Sequence, residues 1–182
     1  MKIVDQSYRL AEFERIMLPH LDSAYNLARW LTRNEHDAED LVQEAYLRAC
    51  RFFHGFHPED GDGKAWLLAI VRNTCFTWMR QRKRMPMETV EEEFSSGPTA
   101  TAAPDHVLSE KERGEALAGC IEALPGEYRE VIVLRELEEM SYQEIADTAG
   151  LAIGTVMSRL SRARKRLKDC LTGKLAGAGV AA

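Results

Sequence analysis

Six bases and no acid fall between Arg159 and Lys168, and four cations stand together at Arg80, Arg82, Lys83 and Arg84. Cations at that density hold phosphate groups, because phosphate binding follows the local potential rather than the total charge. The total is −5, which argues against indiscriminate coating of nucleic acid. Residues 1–88 balance 13 bases against 13 acids, whereas Glu110–Gly150 carries 11 acids against 4 bases. Either cluster alone reads more simply as a solvated helix end, since cations suit helix C-termini. Two clusters in two separate units, one beside a helix-turn-helix signal, favour nucleic acid. Asp37, Asp40 and Glu44 follow at steps of 3 and 4, with Gln43 at their border. On a helix they share one face, which is either solvated or suited to a basic partner surface. Cys50, His54 and His57, at steps of 4 and 3, would approach one metal on a helix. His57 lies beyond Gly55, however, and no fourth ligand is evident, so a small buried thiol and loop histidines are the simpler reading. No metal or cofactor is expected.

The elements that must position these groups read almost entirely as helix, because strand-like alternation is scarce. Leu10, Phe13, Met17, Leu21, Ala24, Leu27 and Leu31 recur at helical steps over 8–32, and Pro19 interrupts the run. Asn34 is the expected N-cap of the next helix, which turns Ala38, Leu41, Val42, Ala45, Leu47 and Ala49 inward and ends near Phe53. His54–Gly63, with three Gly and one Pro, reads as a loop. A third helix covers Lys64 to Arg84, with Trp66, Leu67, Ile70, Val71, Phe76 and Trp78, its tryptophans reading as core.

Pro86, Pro98, Pro104 and the acids Glu91–Glu93 mark residues 86–108 as a flexible linker. Ser109 and Glu112 then read as a capping box opening a helix striped by Leu117, Ile121 and Leu124, which Pro125-Gly126 breaks. A further helix runs from about Glu127 to Glu138. The fold class is therefore all-α, with helical domains over 1–85 and 109–172 and a disordered tail over 173–182.

Residues 141–168 carry the most specific local pattern. Ser141 and Glu144 form a capping box, a short helix ends near Ala149, and Gly150 supplies a tight turn. The next helix begins around Ile153–Thr155, with an apolar back of Val156, Leu160, Ala163 and Leu167. Its front presents Ser158, Arg159, Arg162, Lys165 and Arg166. An apolar back and a cationic front fit a DNA major groove, with base edges met early in the helix and phosphates further along.

Composition narrows the remaining classes. The chain is 45% hydrophobic and 29% charged over 182 residues, enough for one or two cores. No apolar run approaches the ~20 residues of a membrane span, and Met1-Lys2-Ile3-Val4-Asp5 turns polar too early for a secretory signal. The four cysteines are scattered with no CxxC pair, which reads as a reduced cytoplasmic protein. Gly-rich phosphate loops, HExxH and GxSxG are absent, so an enzyme is not expected.

On these residues the chain resembles the extracytoplasmic-function sigma factors, the smallest sigma-70-type bacterial initiation factors. SYQEIA and GTVMSRLSRAR within 141–167 resemble the family's C-terminal DNA-binding region. AEDLVQEAYLRA at 38–49 resembles the helix that grips the polymerase clamp, and AWLLAIVRNTCFTWMR at 65–80 the helix that opens and reads the −10 element. The resemblance covers about residues 8–170 and implies binding to core RNA polymerase (clamp and flap) and to promoter DNA, in the cytoplasm at the nucleoid. It implies Thr155, Ser158, Arg159, Arg162, Lys165 and Arg166 at the −35 element. Asn73 matches the position that reads a flipped −10 base, for which an amide offers both donors and an acceptor. Arg72, Arg80, Arg82, Lys83 and Arg84 would hold the strand there, with Phe53 and Phe56 as stacking groups. Asp37, Asp40, Gln43 and Glu44 are the implied polymerase contacts. Members are commonly held by an anti-sigma factor, with which a flexible linker is compatible.

Two further readings compete. A mimic that titrates an anti-sigma factor leaves Arg159, Arg162, Arg166 and the Arg80–Arg84 cluster without a use. A plain helix-turn-helix regulator leaves the first 88 residues unexplained.

Overall fold

Pro19 divides the first apolar run. In the computed structural model, which describes residues 2–57, 63–84 and 110–179 (side chains from 9 to 174), helix α1 spans Lys2–Met17 and α2 spans Leu21–Thr32. A single tighter turn, Leu18–His20, carries the proline between them. Arg33 closes α2 in the left-handed conformation at φ 63°, and Asn34 starts α3 (Glu35–Phe52) by accepting from the Asp37 N–H at 3.0 Å. That bond satisfies a backbone donor the helix itself cannot. Helix α4 spans Gly63–Arg84. Gly63 is buried, and a Cβ there would meet Ile16 Cγ2 at 3.0 Å, so a glycine lets α4 start against α1.

Helices α2, α3 and α4 pack on one another, with α1 laid against α4. Met17, Leu27, Leu67, Leu68 and Val71 are fully buried between them. An aromatic cluster closes one end: Phe13 stands edge-on to Phe53 and Tyr46, and Phe56 stacks on Phe53 at 5.7 Å. Tyr46 also donates to the Met17 carbonyl at 2.9 Å.

The second unit comprises α5 (Glu110–Glu122), α6 (Gly126–Ile132), α7 (Tyr142–Ala149) and α8 (Ile153–Gly179). Helix α6 widens into a π-type turn at Val133–Leu137. Helix α8 is the spine on which α5, α6 and α7 all pack. No strand occurs among the described residues, and no helix there is long and apolar enough to cross a membrane.

Three expectations need correction. Leu47 is 57% exposed and Leu10, Leu21 and Leu117 are also exposed, because each stripe is wider in sequence than the face its neighbours cover. Within the tail over 173–182, expected to be disordered, residues 173–179 continue α8 despite Gly173, Gly177 and Gly179, with no proline to end it. The linker over 86–108 lies outside the described residues. Finally, Cys120 and Cys170, expected as reduced thiols, form a disulfide joining α5 to α8. Their Cα atoms are 5.9 Å apart across 50 residues of sequence, a proximity made by helix packing and invisible to spacing rules. Cys50 and Cys75 are free, and burial pushes the Cys75 thiol up to about 12.

Candidate nucleic-acid interface

Helix α8 is set by what precedes it. Ser141 Oγ accepts from the Glu144 N–H at 3.2 Å, and Glu144 returns the bond by accepting from the Ser141 N–H at 2.7 Å. Those bonds hold the Glu144 carboxyl below the usual carboxylate range. Gly150, at φ 64°, turns the chain where a side chain would be strained. Helix α8 then buries Val156, Leu160 and Ala163, which leaves its opposite face to solvent.

That face carries Met157, Ser158, Ser161, Arg162 and Lys165, all exposed. Ser158 Oγ donates to the Thr155 carbonyl at 3.0 Å, while Thr155 itself is half-buried. Arg159 lies further round, paired with Glu127 at 3.3 Å, and the Arg166 guanidinium stands 5.2 Å from the Tyr128 ring centre. Glu127 and Tyr128, at the start of α6, thus position two of the four candidate cations. No pattern in the sequence marked them, because the contact joins residues about 30 or more positions apart. Arg164 points elsewhere, donating to Glu136 at 2.7 Å.

On α4 the cations divide into two groups. Arg80, Arg82, Lys83 and Arg84 are exposed at the C-terminal end. Arg82 lies 5.1 Å from the Trp78 ring centre and 3.3 Å from Asp37 Oδ2, so Trp78 serves as a platform for a guanidinium. Arg72 instead turns toward the second unit, where its Nε donates to Glu130. Its Nη1 donates to the Asn73 amide oxygen at 3.2 Å, and Asn73 is exposed. Glu130 is 1% exposed, and burial pushes its carboxyl up against the opposing pull of Arg72. Phe53 is buried in the aromatic cluster and Phe56 half-buried on it, so neither ring offers a free face as arranged here.

On α3, Asp40 and Gln43 are exposed, Asp37 is shared with Arg82, and Glu44 accepts from Arg48 at 2.7 Å. The acidic stripe is therefore half neutralised from within. His54 Nδ1 donates to the Arg51 carbonyl at 3.0 Å, and no metal-sized cluster of His, Cys, Asp or Glu occurs among the described residues.

Comparison with known proteins follows the same division. Residues 16–85 match the family described as Sigma-70 region 2, and residues 114–167 that described as Sigma-70, region 4. The chain is 35% identical over 162 residues to the ECF RNA polymerase sigma factor SigE of Mycolicibacterium smegmatis, covering 89% of this chain and 62% of that protein. It is 30% identical over 155 residues to the ECF RNA polymerase sigma factor SigM of Bacillus subtilis, covering 85% of this chain and 92% of that one. A solved structure of the sigma factor RpoE of Bartonella quintana, in complex with the anti-sigma factor NepR, superposes with a TM-score of 0.69 at 30% identity. That match covers 88% of this chain and 97% of the other.

Proposed function

Because the chain belongs to the ECF RNA polymerase sigma factors of the sigma-70 family, we propose that it binds bacterial core RNA polymerase and directs it to specific promoters. The observation that carries this reading is the pairing of two cationic helix faces in two separate units. Helix α4 presents Asn73 and Arg80–Arg84, and α8 presents Ser158, Arg162 and Lys165. One promoter would engage both faces, as duplex at the −35 element and as opened strand at the −10 element.

In this mechanism Arg162 pairs with base edges, for which a bidentate donor to guanine is suited, and Thr155 and Ser158 approach from the helix start. Arg159, Lys165 and Arg166 meet phosphates. Asn73 holds a flipped −10 base, while Arg72, Arg80, Arg82, Lys83 and Arg84 hold the backbone of the opened strand. Asp37, Asp40, Gln43 and Glu44 lie against the polymerase clamp. The protein performs no covalent chemistry; binding energy goes into recognition and strand capture. It works in the cytoplasm at the nucleoid, under an anti-sigma factor, as the NepR-bound relative is.

Run-off transcription tests the proposal. Purified protein, core polymerase and a pool of host promoter fragments are expected to yield protein-dependent transcripts that share two spaced upstream elements. Absence of both transcripts and polymerase binding would sink the reading and leave the anti-sigma-titrating mimic or the plain regulator.

A further inference from the structure

Helix α8 carries an apolar flank beside its cations. Ile153 is 46% exposed and Met157 53%, and among the described residues they are the only large apolar side chains of α8 so exposed. Four positions apart, they stand one turn from each other on the same side of the helix. Val156, Leu160 and Ala163 face the other way, into the core, which leaves Met157 in water. Ser161, one turn beyond Met157, is exposed and short, and adds no bulk beside it.

A single exposed apolar side chain is ordinary on a protein surface, but a pair at the start of a cationic helix is not. Arg162 and Lys165 are exposed on that helix, and Arg159 and Arg166 flank them, so the partner this face complements in charge is a polyanion. Duplex DNA meets both demands. Its major groove is lined by hydrogen-bonding edges, and the apolar group displayed there is the 5-methyl of thymine. The polar neighbours leave that group to the methionine. Arg162 suits the two acceptors of guanine. Ser158 commits its hydroxyl proton to the Thr155 carbonyl at 3.0 Å, so toward a base it can only accept, which suits the amino groups of adenine and cytosine.

We propose that Met157, with Ile153 beside it, is a specificity-determining residue that receives a thymine 5-methyl group in the −35 duplex. The assignment rests on the reading of α8 as the helix that enters the major groove. An unbranched thioether side chain with three rotatable bonds moulds itself to a methyl group, and contact removes both apolar surfaces from water. Met157 and Arg162 lie about 140° apart round the helix and about 7.5 Å apart along it. Base steps are about 3.4 Å, so the two side chains meet different base pairs, and their preferences are separable.

The test deletes the methyl group from the DNA. The full chain is assembled on core polymerase and given a pool of randomised duplexes, and the bound fraction is sequenced. The best duplex is then remade with deoxyuridine in place of thymine, one position at a time. Each change removes one 5-methyl and leaves the hydrogen-bonding edge intact. Wild-type protein is expected to lose about fourfold in affinity at one position, the value of one buried methyl group. Met157→Gln keeps the length of the side chain but not its apolar end, and Met157→Ala removes both. Each is expected to bind the thymine duplex about fourfold or more weakly and to be indifferent to uracil at that position. Replacing that thymine by 5-methylcytosine rather than cytosine should recover affinity for wild-type protein and not for either variant.

Arg162→Ala, run in parallel, should relax specificity at another base pair and keep the sensitivity to uracil. An enriched duplex with no uracil-sensitive position overturns the proposal, as do Met157 variants that remain as sensitive as wild type. Variants that fail to assemble with core polymerase while keeping the wild-type duplex preference would mark a protein contact instead, and also overturn it. In each of these cases sequence enrichment that depends on Arg162 leaves α8 as the reading helix and removes the Met157 assignment alone. Absence of any enrichment, with Arg162→Ala unchanged from wild type, removes the reading of α8 as well.

Discussion

Breaking the Cys120–Cys170 bond is expected to destabilise the second unit by about 4 kcal/mol. The bond closes a loop of sequence separation 50, which holds α6, α7 and most of α8. The loop-closure relation for cross-links gives roughly 14 cal/mol/K of unfolded-state entropy at that length, hence about 4 kcal/mol at 25 °C. A unit of this size is stable by only ~3–9 kcal/mol, so reduction takes a large share of its stability. Cys170→Ser is the preferred change, because Cys120 is 1% exposed and a serine there would also bury a hydroxyl. Urea unfolding is followed by circular dichroism, which sees both units, and by tryptophan fluorescence. Trp30, Trp66 and Trp78 are the chain's three tryptophans, and all lie in the first unit. Dithiothreitol and Cys170→Ser are expected to move the circular dichroism transition to lower urea and to split it from the fluorescence transition. Coincident midpoints with and without reductant, equivalent to a change below ~0.5 kcal/mol, would refute the cross-link or its entropic account.

The remaining predictions concern the helix-turn-helix and the strand face. Arg162→Ala is expected to weaken −35 duplex binding by roughly 1–3 kcal/mol and to relax specificity there, measured by titration against a panel of duplexes; equal loss on every sequence would deny it a base-reading role. Asn73→Ala is expected to slow promoter opening more than it weakens the closed complex, read by permanganate footprinting and gel shift, and equal effects on both steps would count against it. The Glu144 carboxyl is held below its unfolded value, so its stabilising effect is present above the unfolded pKa and is lost as pH falls through the folded one. Stability of the second unit should therefore fall as pH drops below the ordinary glutamate range in the native chain. Glu144→Gln should flatten that part of the pH profile, and an unchanged slope would show that the cap contributes nothing there.

Local features were legible because their signals are local. Asn34 followed by an acid at the third helical position marks a start whatever the rest of the chain does, and the Asp37 N–H bond is found there. Ser141, Glu144 and Gly150 spell a capped short helix and its turn within ten residues, and Val156, Leu160 and Ala163 spell the buried back of α8. What escaped was set by tertiary packing. Leu47 sits in a helical stripe yet faces solvent, because no neighbour covers that edge of α3. The cysteine pair and the Arg72–Glu130 contact each join positions 50 or more residues apart. Neither the charge of Arg72 nor that of Glu130 announces its partner, so the division of the α4 cations into an occupied and an exposed group was readable only in three dimensions.

Helix α8 also acts as a lever. Thr155 and Cys170 belong to one uninterrupted helix, so at the usual rise they are about 22 Å apart. With the far end fastened to α5, small rotations there are magnified at the reading end. A tilt of roughly 10° pivoting near Cys170 would carry Thr155 by about 4 Å, comparable to one base step along a DNA strand. The fastening thus fixes aim as well as stability, and under the proposed function register on the −35 element would depend on a covalent bond at the opposite end of the helix from the bases.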